Sequence, residues 1–193
     1  MEHTGGSDLE AIDRSSDLTQ RGVRGVIAEA AFDYRITTEL FHWRKAVVYD
    51  DLPYDFLLED AEGAVRVQVK MQRRKDHRPM FAREGYRRLP ANMYVVETQR
   101  TRKGEHVETG ADTRPYRFGE FDILAVSMHP STGNWNDFMF TVADWLLPRP
   151  EDESLLLKFQ PVSRTPSLDW TNDFDECVRW WRSGYKKRLS LNL

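Results

Sequence analysis

Cysteine is all but missing from this sequence. The lone thiol, Cys177, excludes an internal disulfide framework and a zinc site built from cysteines. Long apolar runs are missing too. No stretch approaches the roughly 18 residues of a membrane span, which excludes an integral membrane protein built on helices. The opening segment, MEHTGGSDLEAIDRSSD, is polar and acidic, so no secretory signal is expected and a cytoplasmic location is the default. Five histidines, His3, His42, His77, His106 and His129, show no ligand spacing, which counts against a zinc centre. No repeat and no Pro- or Ser-rich linker interrupts the chain.

Aromatic residues, by contrast, are plentiful. Six Trp, seven Tyr and ten Phe in 193 residues are enough to close a sizeable core and too many for a disordered tail. The length predicts one domain over 18–193, preceded by a loose polar segment at 1–17.

Charge is uneven. The whole chain carries a formal −3. Between Arg66 and Lys103, however, twelve basic residues face only Asp76, Glu84 and Glu97, a local +9 that leaves −12 for the rest. A basic block in an acidic protein is an electrostatic footprint for a polyanion; a solvated arginine-rich face has the same composition. Nine of the twelve are Arg, whose forked donors suit phosphate and base edges. Arg66, Arg73, Arg74, Lys75, Arg78, Arg100, Arg102 and Lys103, with Arg114 just beyond, are the candidate nucleic-acid contacts. His77 in the same block could touch phosphate, act as a base or simply be solvated.

Periodicity predicts a helix over 18–41, with Gly22 and Gly25 allowing close packing and Asp17 or Thr19 as its cap. Strands are expected at 46–51, 53–60, 64–71, 93–98, 121–128, 137–147 and 155–162. Residues 99–115 read as a polar loop and 130–135 as a turn. A last helix is expected over 169–187, capped by Thr171 or Asp169.

The pair 53–60 and 64–71 reads as an antiparallel hairpin turning between Asp60 and Gly63. That register sets Leu57 opposite Arg66, Asp55 opposite Gln68 and Pro53 opposite Lys70. Alternation sends Val65, Val67 and Val69 to one face with Phe56 and Leu58, and gathers Asp55, Arg66, Gln68 and Lys70 on the other. Opposed Cβ atoms lie about 5 Å apart, so the Asp55 carboxylate and the Gln68 amide oxygen could share one hard cation such as Mg²⁺. Lys70 beside it could orient or deprotonate a water and steady a phosphate. An ordinary solvated hairpin face has the same residue types.

P53-Y54-D55 followed by Q68-V69-K70 resembles the PD-(D/E)xK nuclease motif, in its Q-x-K variant. Glu29, in G25-V-I-A-E29 on the first helix, matches the family's helix acid, and Y116-R-F-G-E-F-D-I-L-A-V126 matches its later apolar strand. The resemblance covers roughly residues 20–128. It implies an α/β fold of the restriction-endonuclease-like class, a mixed central sheet flanked by helices. It further implies Mg²⁺-dependent hydrolysis of DNA, with Mn²⁺ able to substitute. Glu29, Asp55 and Gln68 would be metal ligands, and Lys70 would be catalytic. The expected setting is restriction or phage defence, with a homodimer cutting both strands. A structure-selective, resolvase-like repair nuclease is an alternative. So is a catalytically silent nucleic-acid-binding module, because Gln68 adds no charge where the family usually has Asp or Glu.

Overall fold

Ala28, Phe32 and Ile36 recur at helical spacing, and helix α1 (Asp17–Glu39) buries that stripe. A computed structural model describes residues 17–47, 52–100 and 114–191. The expected loose segment, except for Asp17, and most of the 99–115 loop lie outside the described residues. After α1 come the strands β1 (Arg44–Lys45), β2 (Phe56–Asp60), β3 (Gly63–Met71), β4 (Arg74–Lys75) and β5 (Arg78–Pro79). Helix α2 (Ala82–Gly85) leads to β6 (Tyr94–Glu97) and β7 (Ile123–Ser127). Helix α3 (His129–Thr132), β8 (Phe138–Val142), β9 (Pro148–Arg149), β10 (Asp152–Leu156), β11 (Phe159–Val162) and α4 (Phe174–Arg182) complete the order.

Five strands form a mixed sheet in the order β1-β2-β3-β7-β8. Only the β3–β7 pair is parallel. A parallel pair needs a long crossover, and here the basic stretch supplies it, carrying β4, β5, α2 and β6. Phe32 of α1 meets Phe56, Phe138 and Phe140 at 5.2–6.2 Å between ring centroids, and Phe174 of α4 meets Phe32 and Phe140 at 5.9 and 5.5 Å. Both long helices therefore pack on the same face through one aromatic cluster. No helix among the described residues is long and apolar enough to cross a membrane.

The β2–β3 hairpin has the expected register, with Phe56 opposite Val67, Leu57 opposite Arg66 and Leu58 opposite Val65. Asp60 Oδ1 accepts from the Glu62 and Gly63 amides at 2.9 and 3.1 Å and fixes the turn.

Several boundaries differ from expectation. Pro53–Asp55 bends instead of pairing, so β2 starts at Phe56. Ala46 and Val47 lie outside any strand, and the rest of the expected 46–51 strand falls outside the described residues. The apolar run 137–147 ends as a strand at Val142 and continues as a 3-10 turn. The run 155–162 divides between two small sheets, β10 against β9 and β11 against β6. Helix α4 starts at Phe174, capped by Asp173, whose side chain accepts from the Glu176 amide at 3.0 Å. A Cβ on Gly22 or Gly25 would meet nothing within 4 Å, so these glycines serve no close packing; both line a cleft.

Candidate active site and its basic cleft

Beyond Phe56 the sheet loses β2, and β3 has an unpaired edge at Val69. Asp55 fills that edge. Its amide donates to Val67 O at 3.0 Å, the last ladder bond, and its Oδ2 accepts from the Val69 amide at 2.8 Å. The side chain thus replaces a strand where the backbone turns away. Gln68 Nε2 donates to the same Oδ2, and to Val69 O at 3.2 Å. Gln68 is 1% exposed. Asp55 Oδ1 accepts nothing from the described residues.

Glu29 follows Ala28 on α1, at the border of the buried stripe, and is half-buried. Its carboxyl pKa is raised, first by burial and then by the Asp55 charge, with Lys70 opposing. Burial likewise raises Asp55, against the Lys70 ammonium and the Val69 and Gln68 donors. Glu29, Asp55, Gln68 and Lys70 are therefore brought together as the sequence pattern suggests. Two carboxyls compete for little compensating charge, and Glu29 makes no hydrogen bond with the described residues.

Tyr116 completes the cluster, and sequence reasoning assigned it no role. It is 4% exposed; Lys70 Nζ and Arg100 Cζ sit 5.4 and 5.5 Å from its ring centroid. Burial raises the phenol pKa more than the adjacent Lys70 lowers it, so the hydroxyl stays protonated at neutral pH. No local pattern flags such a residue, because it reaches Lys70 from 46 positions away in the chain.

Glu29 and Lys70 line a cleft of about 1050 Å³. Eight basic side chains line it against three acidic ones, Glu29, Asp76 and Glu97. Arg73, Arg74, Lys75, Arg100 and Arg114 of the predicted contacts are there. Arg24 and Lys158 join them from outside the basic block and were missed for that reason.

Other members of the block serve the fold. Arg66 forks onto Asp122 at 3.0 and 2.7 Å and donates to Gly119 O at 2.7 Å. Arg78 forks onto Glu84 at 2.8 and 2.6 Å. Within the cleft, Arg73 lies 3.4 Å from Glu97, and Arg100 pairs with Glu120 at 2.9 Å. Arg102 and Lys103 lie outside the described residues.

The donor set suits a hard divalent cation. Two carboxyls that burial disfavours as anions, Glu29 further so beside the Asp55 charge, one oxygen without a donor among the described residues, and a neighbouring amide are oxygen ligands of the kind Mg²⁺ takes. Among the described residues no group of three or more His, Cys, Asp or Glu gathers.

Fold and site together define a mixed α/β protein with a paired-carboxyl and lysine centre where a β-strand leaves its sheet. No protein-family model matches the sequence, and no curated protein matches it. Among solved structures, the fold is similar to a bacterial homing endonuclease, I-Ssp6803I, with a TM-score of 0.44 and 19% sequence identity over 84% of this chain and 94% of that one.

Proposed function

We propose that this protein is a metal-dependent endonuclease of the restriction-endonuclease-like class that hydrolyses DNA phosphodiester bonds, working as a homodimer in restriction or phage defence. The observation that carries this reading is the convergence of Glu29, Asp55, Gln68 and Lys70 beside a cleft whose lining has a cationic surplus. Glu29, Asp55 and the Gln68 amide oxygen are the groups that would hold Mg²⁺ or Mn²⁺. When bound, the ion supplies charge that makes water a better nucleophile and offsets the negative charge building on phosphate.

The chain's own groups do the rest. Arg73, Arg74, Lys75 and Arg114 hold the DNA backbone along the cleft. Lys70 Nζ, held against the Tyr116 ring, faces the phosphate, orients the attacking water and balances the charge that builds, while the proton the water loses passes to solvent. Departure of the 3′ oxygen leaves a 5′-phosphate and a 3′-hydroxyl.

One observation favours a second reading. Gln68 is buried and spends its amide N–H on Asp55, so it brings no negative charge to the centre. That is compatible with a silent DNA-binding module. Incubating supercoiled plasmid and phage DNA with Mg²⁺, Mn²⁺ or EDTA separates the two. The nuclease gives nicked and linear products with either ion and none in EDTA. DNA that is bound but intact under every condition supports the silent module. A preference for branched over plain duplex DNA would instead point to a resolvase-like enzyme.

A further inference from the structure

We infer that the β4–β5 ribbon reads base edges in the major groove, with Asp76 and His77 at its tip setting sequence preference. This rests on the DNA-binding reading above. Arg74 pairs with Pro79 and Lys75 with Arg78, leaving a two-residue connection. Both connecting residues have positive φ, 50° at Asp76 and 61° at His77, the pattern of a type I′ turn. Such turns favour Asn-Gly, because a Cβ in the left-handed region carries a steric cost. Asp and His tolerate that region better than most residues, yet neither matches Gly. The turn therefore keeps two functional side chains where backbone preference alone would select others.

Those side chains are free to act. Both are exposed, and neither makes a side-chain hydrogen bond with the described residues. The surrounding groups fix the ribbon's shape instead: Arg78 forks onto Glu84, and Arg74 Nη2 donates to His77 O at 3.0 Å. The base of the ribbon is tied down by Gln72 N to Ser127 O at 3.0 Å, Arg73 N to Val95 O at 2.8 Å and Met80 N to Arg73 O at 2.9 Å. Because β4 follows Lys70 within four residues, the tip stands at a fixed offset from the candidate centre and lines the same cleft.

The tip chemistry fits bases better than backbone. A carboxylate repels phosphate but accepts a hydrogen bond from the cytosine amine, and an imidazole can donate to a purine acceptor. A two-stranded ribbon fits a major groove about 12 Å wide.

The test is binding selection from a random duplex library in EDTA, comparing wild type with Asp76→Asn/His77→Gly, the turn's preferred sequence. Wild type should select a motif. The double variant should keep overall affinity and salt dependence, show a higher Tm, and lose about 5- to 150-fold discrimination at a few adjacent base pairs. Asp76→Asn alone should move preference at one pair from cytosine toward adenine. An unchanged motif in the double variant overturns the inference. So does an equal loss of affinity on every sequence, which marks a phosphate contact, or wild-type binding without base preference. If wild type binds no duplex at all, the DNA reading itself fails, and this inference with it.

Discussion

Asp55 satisfies two neighbours with one oxygen and leaves the other open. That division of labour makes Gln68 the informative residue beside it. Gln68→Glu removes the amide donor to Asp55 and adds a third carboxyl beside two whose pKa values are already raised. Without metal the variant should lose about 1–3 kcal/mol of stability, as buried polar groups do when stripped of a partner. With Mg²⁺ its Tm should rise more than that of wild type, and the Mg²⁺ concentration needed for cleavage should fall. Equal Mg²⁺ responses in thermal melts would count against a shared site. Tyr116→Phe keeps the ring under Lys70 and removes only the hydroxyl. It should lower kcat with little change in KM or in Mg²⁺ requirement if the hydroxyl orients the ammonium, whereas a purely structural role would leave kcat unchanged. Gln68 and Lys70 were legible in the sequence because strand alternation fixes which side chains share a face, and the two-residue turn brings Asp55 to the same stretch of β3, although its side chain lies along the strand edge. Tyr116 and Lys158 were not, since only the folded chain brings the first against Lys70 and the second to the cleft.

Elements held their identity better than their ends. The last helix was expected from Asp169 or Thr171, but tertiary contacts claim both. Phe140 and Thr171 exchange backbone hydrogen bonds at 2.7 and 3.1 Å, which keeps that segment extended, while Asp169 pairs with Lys187 at 2.8 Å and accepts from the Ser190 amide at 2.7 Å. The apolar run 155–162 reads as one strand because each half is apolar, yet the chain changes partner at Leu157, whose amide donates to Leu147 O, and Lys158, whose carbonyl accepts from the Thr98 amide. A pH experiment tests how the hairpin is tied to α4. Arg182 forks onto Asp60 at 2.8 and 2.6 Å and holds its pKa down to about 2. A carboxyl with a depressed folded pKa stabilises the fold above its unfolded value, and that contribution is lost as pH falls through the folded one. Asp60→Asn should therefore be less stable than wild type by about 1.5–3 kcal/mol at pH 7, the range for hydrogen bonds to charged groups. The gap should close between about pH 4 and pH 2 in denaturant melts. A gap independent of pH would mean that the Arg182 pair contributes little.

Across the whole molecule, the charge asymmetry visible in composition becomes a cleft wall, but not residue for residue. Arg66 shares a face with Gln68 and Lys70 in the hairpin register and still ends bonded to Asp122, because that acid opens the next strand. Arg78 and Glu84 likewise neutralise each other. The lining instead recruits Arg24 from α1 and Lys158 from between β10 and β11. Replacing Arg73, Arg74 and Lys75 together by Ala should weaken DNA binding at low salt. It should also flatten the slope of log affinity against log salt by about 0.9 for each phosphate that is no longer neutralised. An unchanged slope would show that these side chains do not touch the backbone.

The most direct measurement is conversion of supercoiled plasmid in Mg²⁺ by wild-type protein, Asp55→Ala and Lys70→Ala purified side by side, with folding checked by circular dichroism. Wild type should nick and linearise the plasmid. Asp55→Ala should leave it supercoiled, and Lys70→Ala should be slower by about 10²–10³-fold, the usual cost of removing one positioned donor from the transition state. Intact plasmid with folded wild type, or cutting by Asp55→Ala at the wild-type rate, would contradict a metal-dependent nuclease centre at Glu29, Asp55, Gln68 and Lys70.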